Sequence, residues 1–170
     1  GAEVRSASQP VEVVLLTAKT TLVPAEFFDG EYAADYLAEV GLATSADECA
    51  VYSNAVNGVV AVMAINKACY NILKVSIPAG VAFTTPLLGD STLQKGSVIH
   101  LEEGVMFVNV YDDGLRFAEA FECENDADVL YYLATVNEVY GIYNMYARAM
   151  GDVKQLRKLL KSIFNNLVCE

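Results

Sequence analysis

The chain has 170 residues, 54% of them hydrophobic, and a formal net charge of −11 from 22 acidic and 11 basic side chains. That length is enough for one compact domain or two small lobes. The acidic balance argues against a nucleic-acid partner, and the longest apolar run, Val59 to Ile65, is far too short to span a membrane.

Residues 1–10 are polar and read as loose, with no visible secretory signal; the sequence opens on Gly1, not Met. Val11 to Thr17 is a strand candidate, apolar on both faces. In Thr21-Leu-Val-Pro-Ala-Glu-Phe-Phe28, Pro24 suits a first helical turn, where its missing N–H costs nothing. Asp29 is placed to cap a helix with Ala33, Tyr36, Leu37 and Val40 on one side and Gly41 after it. Asp47 to Asn54 and Gly58 to Ile65 form a hairpin around Asn57-Gly58. Asn66 caps a helix carrying Cys69, Ile72 and Leu73, stopped by Pro78. Gly80 to Thr84 is a short strand, and Thr85-Pro86 opens one or two helical turns before Gly89. The polar stretch Gly89 to Gly96 divides the chain, giving residues 1–95 as a partial first lobe and residues 96–170 as a second.

The second part is the clearer one. Ser97 to Leu101, Val105 to Tyr111 and Leu115 to Phe121 are three strands joined by the turns Glu102-Glu103-Gly104 and Asp112-Asp113-Gly114. The middle strand is apolar on both faces, as a covered central strand is. Asn125 caps a helix on which Val129, Leu133, Val136 and Tyr140 share a face, with Asp126 and Asp128 at the positive end of its dipole and Gly141 at its end. Ile142 to Ala149 reads as a strand. Asp152 and Gln155 open a helix burying Leu156, Leu159, Leu160 and Ile163, and Phe164 to Cys169 closes the chain as a strand. The order βββαβαβ predicts an α/β fold with a mixed sheet, the ribonuclease-H-like unit shared by actin-like ATPases and polynucleotide nucleases.

Thr21-Leu-Val-Pro-Ala-Glu-Phe-Phe-Asp29, Val108-Asn-Val-Tyr-Asp112 and Phe121-Glu-Cys-Glu-Asn-Asp-Ala-Asp-Val-Leu-Tyr-Tyr132 resemble a bacterial domain-of-unknown-function family with the actin-like ATPase fold. The resemblance runs from Val11 to the C-terminus. It implies a first lobe that begins with its own strand meander, which is not recognisable here, so Val11 to Thr17 is expected to present an open edge. That edge would pair in a homodimer or be covered by the chain's own hairpin near Asn57-Gly58.

The resemblance also directs attention to a nucleotide site. An actin-like ATPase grips phosphates with two acidic glycine hairpins and lets adenosine approach through a glycine turn. Here Glu103 and Gly104 stand at the second-lobe hairpin and Gly151 at the adenosine turn, while the first-lobe hairpin has no counterpart. A nuclease would need a carboxylate inside the first strand, and Ser97-Val-Ile-His-Leu101 has none.

The remaining candidates have plainer readings. His100, the lone histidine, reads as structural, and Asp112-Asp113-Gly114 as an ordinary hairpin. Cys49, Cys69, Cys123 and Cys169 form no CxxC pair and read as free, mostly buried thiols, which fits a reducing cytoplasm. Lys154, Arg157, Lys158 and Lys161 form one basic helix face, either simply solvated or docking an acidic protein or membrane surface.

These features predict a non-catalytic, cytoplasmic protein that binds a protein partner or itself, in an assembly or scaffold role, without cofactor or metal. The alternative is an ATPase using ATP with Mg, its site completed by residues outside this sequence.

Overall fold

A computed structural model of the chain describes residues 10–90 and 92–170. Residues 1–9, read above as loose, lie outside the described residues. The C-terminal unit is one five-stranded sheet. Its strands are β6 (Lys95–Glu102), β7 (Val105–Asp112), β8 (Leu115–Glu122), β9 (Tyr146–Gly151) and β10 (Asn166–Cys169), in the order β10-β9-β6-β7-β8. β6, β7 and β8 are an antiparallel meander, and β9 and β10 join in parallel. The predicted βββαβαβ order and mixed sheet are therefore present.

The reasons are local. Glu103 and Gly104 both take positive φ (50° and 74°), and Asp113 and Gly114 do the same (53° and 111°), so each hairpin closes on its glycine. Helix α3 (Asp126–Tyr140) starts where the Asn125 side chain accepts from the Asp128 amide, and it ends at Gly141 in the left-handed region. Helix α4 (Val153–Leu160) starts where the Asp152 carboxylate accepts from the Gln155 amide. Ile99, Met106, Val108 and Val110 point to one side of the sheet and meet Val129, Leu133, Val136, Leu156 and Leu160. Val105 and Phe107 point to the other side and meet Leu16, Leu22 and Leu87 of the N-terminal half.

One strand begins later than expected. Ile142–Asn144 is a 3₁₀ turn, and β9 starts at Tyr146. Left-handed Gly141 turns the chain sharply, the Asn137 side chain accepts from the Tyr143 amide, and Ile142 is buried beneath the sheet. The final strand is likewise shortened, because Phe164 turns into the core against Tyr143.

The N-terminal half is more divided. β1 (Val11–Val14) pairs in parallel with β5 (Val81–Thr84), while β2 (Thr20–Pro24), β4 (Val59–Asn66) and β3 (Glu48–Tyr52) form a separate antiparallel sheet. A single parallel bridge between Ser53 and Phe83 links the two. The Asn57-Gly58 turn joins β3 to β4 with positive φ at both residues. Helix α1 (Ala33–Glu39) follows a 3₁₀ turn capped by Asp29 and covers Val23, Val62 and Ala64. Helix α2 (Lys67–Ser76), capped by Asn66, lies on the opposite side with Tyr70 and Leu73 against Met63 and Ile65.

Several details depart from the sequence expectations. Pro24 ends β2 and only caps the 3₁₀ turn Ala25–Phe27, because an edge strand tolerates its missing amide. Val40 lies past the end of α1 and is exposed, as are Cys69 and Ile72 on the outer face of α2. β1 obtains a partner from its own chain on one side. Among the described residues no strand pairs with its other side, and the Asn57-Gly58 hairpin does not form a ladder with it.

Candidate functional site

The carboxyl ends of parallel strands are where open α/β sheets leave room for ligands. In this molecule β1 and β5 of the N-terminal half and β6 and β9 of the C-terminal unit bring those ends to a common cavity of about 350 Å³. Val14, Thr84, Thr85 and Pro86 line it from one side, and Val98, His100 and Met150 from the other. The lining is chiefly apolar, with the Thr85 hydroxyl already accepting from the Leu87 amide.

His100 is the one imidazole in this wall. Its Nε2 lies 2.8 Å from the Glu102 carboxylate, and its ring stands edge-on to Phe107. With both contacts made inside the sheet, the side chain is held in place and meets no nucleophile.

The three residues proposed for a nucleotide lie at the same end of the sheet. Glu103 and Gly104 line a second crevice of about 230 Å³ with Glu102, Glu124, Asn125, Asp152 and Gln155. Gly151 is not among its lining residues. It sits at the end of β9, where the Asp152 amide donates to the Leu101 carbonyl at 2.6 Å. A Cβ on Gly151 would collide with that carbonyl and lie 3.0 Å from the His100 ring, and its φ is +76°. The positive φ and the close approach to the paired strand β6 account for a glycine at position 151.

The crevice is electrostatically one-sided. Four carboxylates line it, and no lysine or arginine does. Asp126 accepts from the Gln155 side chain of α4 at 2.7 Å, tying the two helices together, and Asp128 accepts from the Glu124 amide at 2.8 Å at the start of α3. Among the described residues no group of three His, Cys, Asp or Glu side chains is arranged to hold a metal. The Asp113-Gly114 turn lies at the far end of the meander from Glu103.

Sequence reasoning did not find the ion pair that locks the junction between the halves. Arg148 on β9 bonds Asp90, which follows the 3₁₀ turn Pro86–Leu88, and its Nε lies 3.5 Å from the Glu170 carboxylate. Hydrogen bonds from Thr92 to Asp90, then the Arg148 guanidinium, hold the Asp90 carboxyl below its ordinary range. Asp90 also donates its amide to the Tyr111 hydroxyl, whose own ionisation burial pushes up. Fifty-eight residues separate Arg148 from Asp90, and no local motif announces such a pair.

The four cysteines are free thiols, but only Cys123 is fully buried; Cys49 and Cys169 are half-buried and Cys69 is exposed. Burial and the nearby Asp128 push the Cys123 thiol up to about 11, so it stays protonated and inert at neutral pH.

A family profile described as "Protein of unknown function (DUF3822)" matches residues 6–148, and the chain belongs to that family. No curated protein matches it. Among solved structures it is similar to a Bacteroides thetaiotaomicron VPI-5482 protein with actin-like ATPase fold and unknown function. That similarity has 18% identity and a TM-score of 0.75 over 95% of this chain and 68% of the other. The fold is thus the actin-like one that the sequence motifs suggested. The cytoplasmic domain of EpsL, an inner-membrane component of the type II secretion system of Vibrio cholerae, aligns at 14% identity with a TM-score of 0.41, over 94% and 65% of the two chains. Among the described residues no helix is long and apolar enough to cross a membrane.

Proposed function

We propose that this member of the family works through contacts with protein surfaces, as an assembly or scaffold component, and does not turn over ATP. The observation that carries the reading is the charge of the crevice at Glu103 and Gly104. A triphosphate there would face Glu102, Glu103, Glu124 and Asp152 with no lysine or arginine among the lining residues to offset it. The residues present do not fit a phosphate chain. Each charge-assisted hydrogen bond that such a site lacks weakens binding by roughly 1.5–3 kcal/mol, and two or three of them separate a micromolar site from a millimolar one.

The outer surfaces supply further support. Phe27, Ile72, Val75, Tyr131 and Val139 are all well exposed, on both halves of the molecule. Exposed tyrosine and phenylalanine suit protein interfaces, being large, stiff and apolar. Isothermal titration with ATP and magnesium tests the reading. The expected dissociation constant is about 1 mM or weaker. A value near or below about 10 μM, weakened by Glu103→Ala, would replace this reading with a nucleotide-binding one.

A further inference from the structure

We propose that the protein stacks head to tail on copies of itself, the basic face of α4 seated on the acidic face of α1 of the next copy. The proposal rests on the protein-contact reading above and names the partner and the surface. It starts from an accounting of the cations. The sequence holds 11 lysines and arginines, of which Arg5 lies outside the described residues. Lys19, Lys95 and Arg148 meet carboxylates, Lys67 and Arg116 meet carbonyl oxygens, and Lys74 lies over the Tyr70 ring. The other four are Lys154, Arg157, Lys158 and Lys161. They are exposed and share one face of α4 and its last turn, at i, i+3, i+4 and i+7.

A complementary face exists on the same chain. Between Lys19 and Lys67 the sequence contains seven carboxylates and no lysine or arginine. Glu31, Asp35 and Glu39 fall on one exposed face of α1 and the turn before it, without an ion-pair partner among the described residues. Ala34 and Ala38, also exposed, lie along the same face and put short side chains beside the carboxylates. Asp35 and Glu39 are about 6 Å apart along the helix axis, the same step that separates Lys154 from Lys158 and Arg157 from Lys161.

The two faces cannot meet within one molecule. α1 covers Val23, Val62 and Ala64, whereas the other side of that sheet, Ala61 and Met63, packs with Leu22 and Leu88 toward the C-terminal unit. α4 covers Ile99 and Val108, whereas Val105 and Phe107 on the other side of their sheet face the N-terminal half. Each helix is therefore on the outer surface of its own half. A contact between unlike surfaces is heterologous, and it propagates into a chain of subunits unless the rotation closes a ring.

The net charge of −11 sets a distinctive salt dependence. At about 10 mM ionic strength the screening length is roughly 30 Å and whole molecules repel; at about 1 M it is roughly 3 Å and the helix pairs are themselves screened. Association is therefore strongest between these limits and about tenfold weaker at either, whereas association through apolar surface strengthens steadily with salt.

The test is sedimentation of the chain from about 10 μM to 1 mM, alongside two charge-reversed variants. One carries Lys154→Glu, Arg157→Glu, Lys158→Glu and Lys161→Glu; the other carries Glu31→Lys, Asp35→Lys and Glu39→Lys. Each variant alone is expected to lose association at least about tenfold, and an equimolar mixture to regain it, because each reversed face then meets its complement. A wild-type chain that stays monomeric at about 1 mM would overturn the stacking contact. Variants that associate as the wild type does would overturn it as well, while leaving the protein-contact reading intact; tight ATP binding would remove that reading instead.

Discussion

The two halves of the molecule solve the burial problem differently. The C-terminal unit places a five-stranded sheet, two helices and a buried turn residue around one contiguous core, with Leu133, Ile142, Leu156 and Leu160 all fully buried. The N-terminal half has an interrupted sheet and smaller clusters, and α2 buries no residue completely. Ile72 and Val75 on that helix are 64% and 83% exposed. Cooperative packing resides in the first of these arrangements, and surface left for other contacts in the second. A helix that buries little is held mainly by its cap and a few side chains, and such elements open at low cost.

Core truncation gives the largest expected effect. Leu133 and Leu37 are both fully buried, but Leu133 lies in the large core, whereas Leu37 points from the short helix α1 into a small cluster with Val23, Val62 and Ala64. Leu133→Ala is expected to cost about 4 kcal/mol and Leu37→Ala about 2–3 kcal/mol, since α1 can settle into the space left behind. Urea unfolding of the two variants checks this, and the reverse order would break the comparison.

The junction comes next. The Asp90 carboxyl is held low by Thr92 and Arg148, so its contribution is full at neutral pH. It is lost as pH falls below the unfolded carboxylate range and through the lower folded value. Asp90→Asn is expected to cost about 1 kcal/mol at pH 7, and the difference from wild type to vanish near pH 2. Thermal melts across that range read it; a constant difference would mean that the charge of Asp90 is irrelevant to the junction.

These outcomes bear on how far the sequence could be read. The continuous apolar run Val105 to Tyr111 and the Glu103-Gly104 and Asp113-Gly114 turns made the meander legible, because every signal there is local. Ile142 was misleading because Ile-Tyr-Asn-Met-Tyr carries strand propensity, while the conformation is decided by Gly141 and the Asn137 side chain. Strand β2 was obscured by Pro24, which sits at its end and not at the start of a helix. The Glu103-Gly104 hairpin was legible because it is local, but the acidic crevice beside it was not. Its other wall, Glu124 and Asp152, arrives only through folding. The Asp90–Arg148 pair left no trace in sequence spacing at all.

The smallest expected effect is at Glu119 on β8, whose carboxyl burial pushes up. A raised folded value means that the protonated form is the favoured one, so stability is present below the unfolded value near 4.5 and is lost as pH rises through the folded one. Glu119 is solvent-exposed, so water screens most of this effect, and Glu119→Gln is expected to stabilise the protein only slightly at pH 7 and not at all near pH 3. Melting temperatures that fall at pH 7 would show that Glu119 makes a favourable interaction as a carboxylate.

Amide hydrogen exchange, followed with and without about 0.1 mM ATP and magnesium, tests the division of roles most directly. β6, β7 and β9 should exchange slowest, through global unfolding, with α2 and β1 much faster. The rates at Glu103, Gly104 and Gly151 should be the same with nucleotide and without it. Slowing at those three positions on adding ATP, spreading to β1 and β5 across the cavity, would contradict the account and identify the cleft as a working nucleotide site.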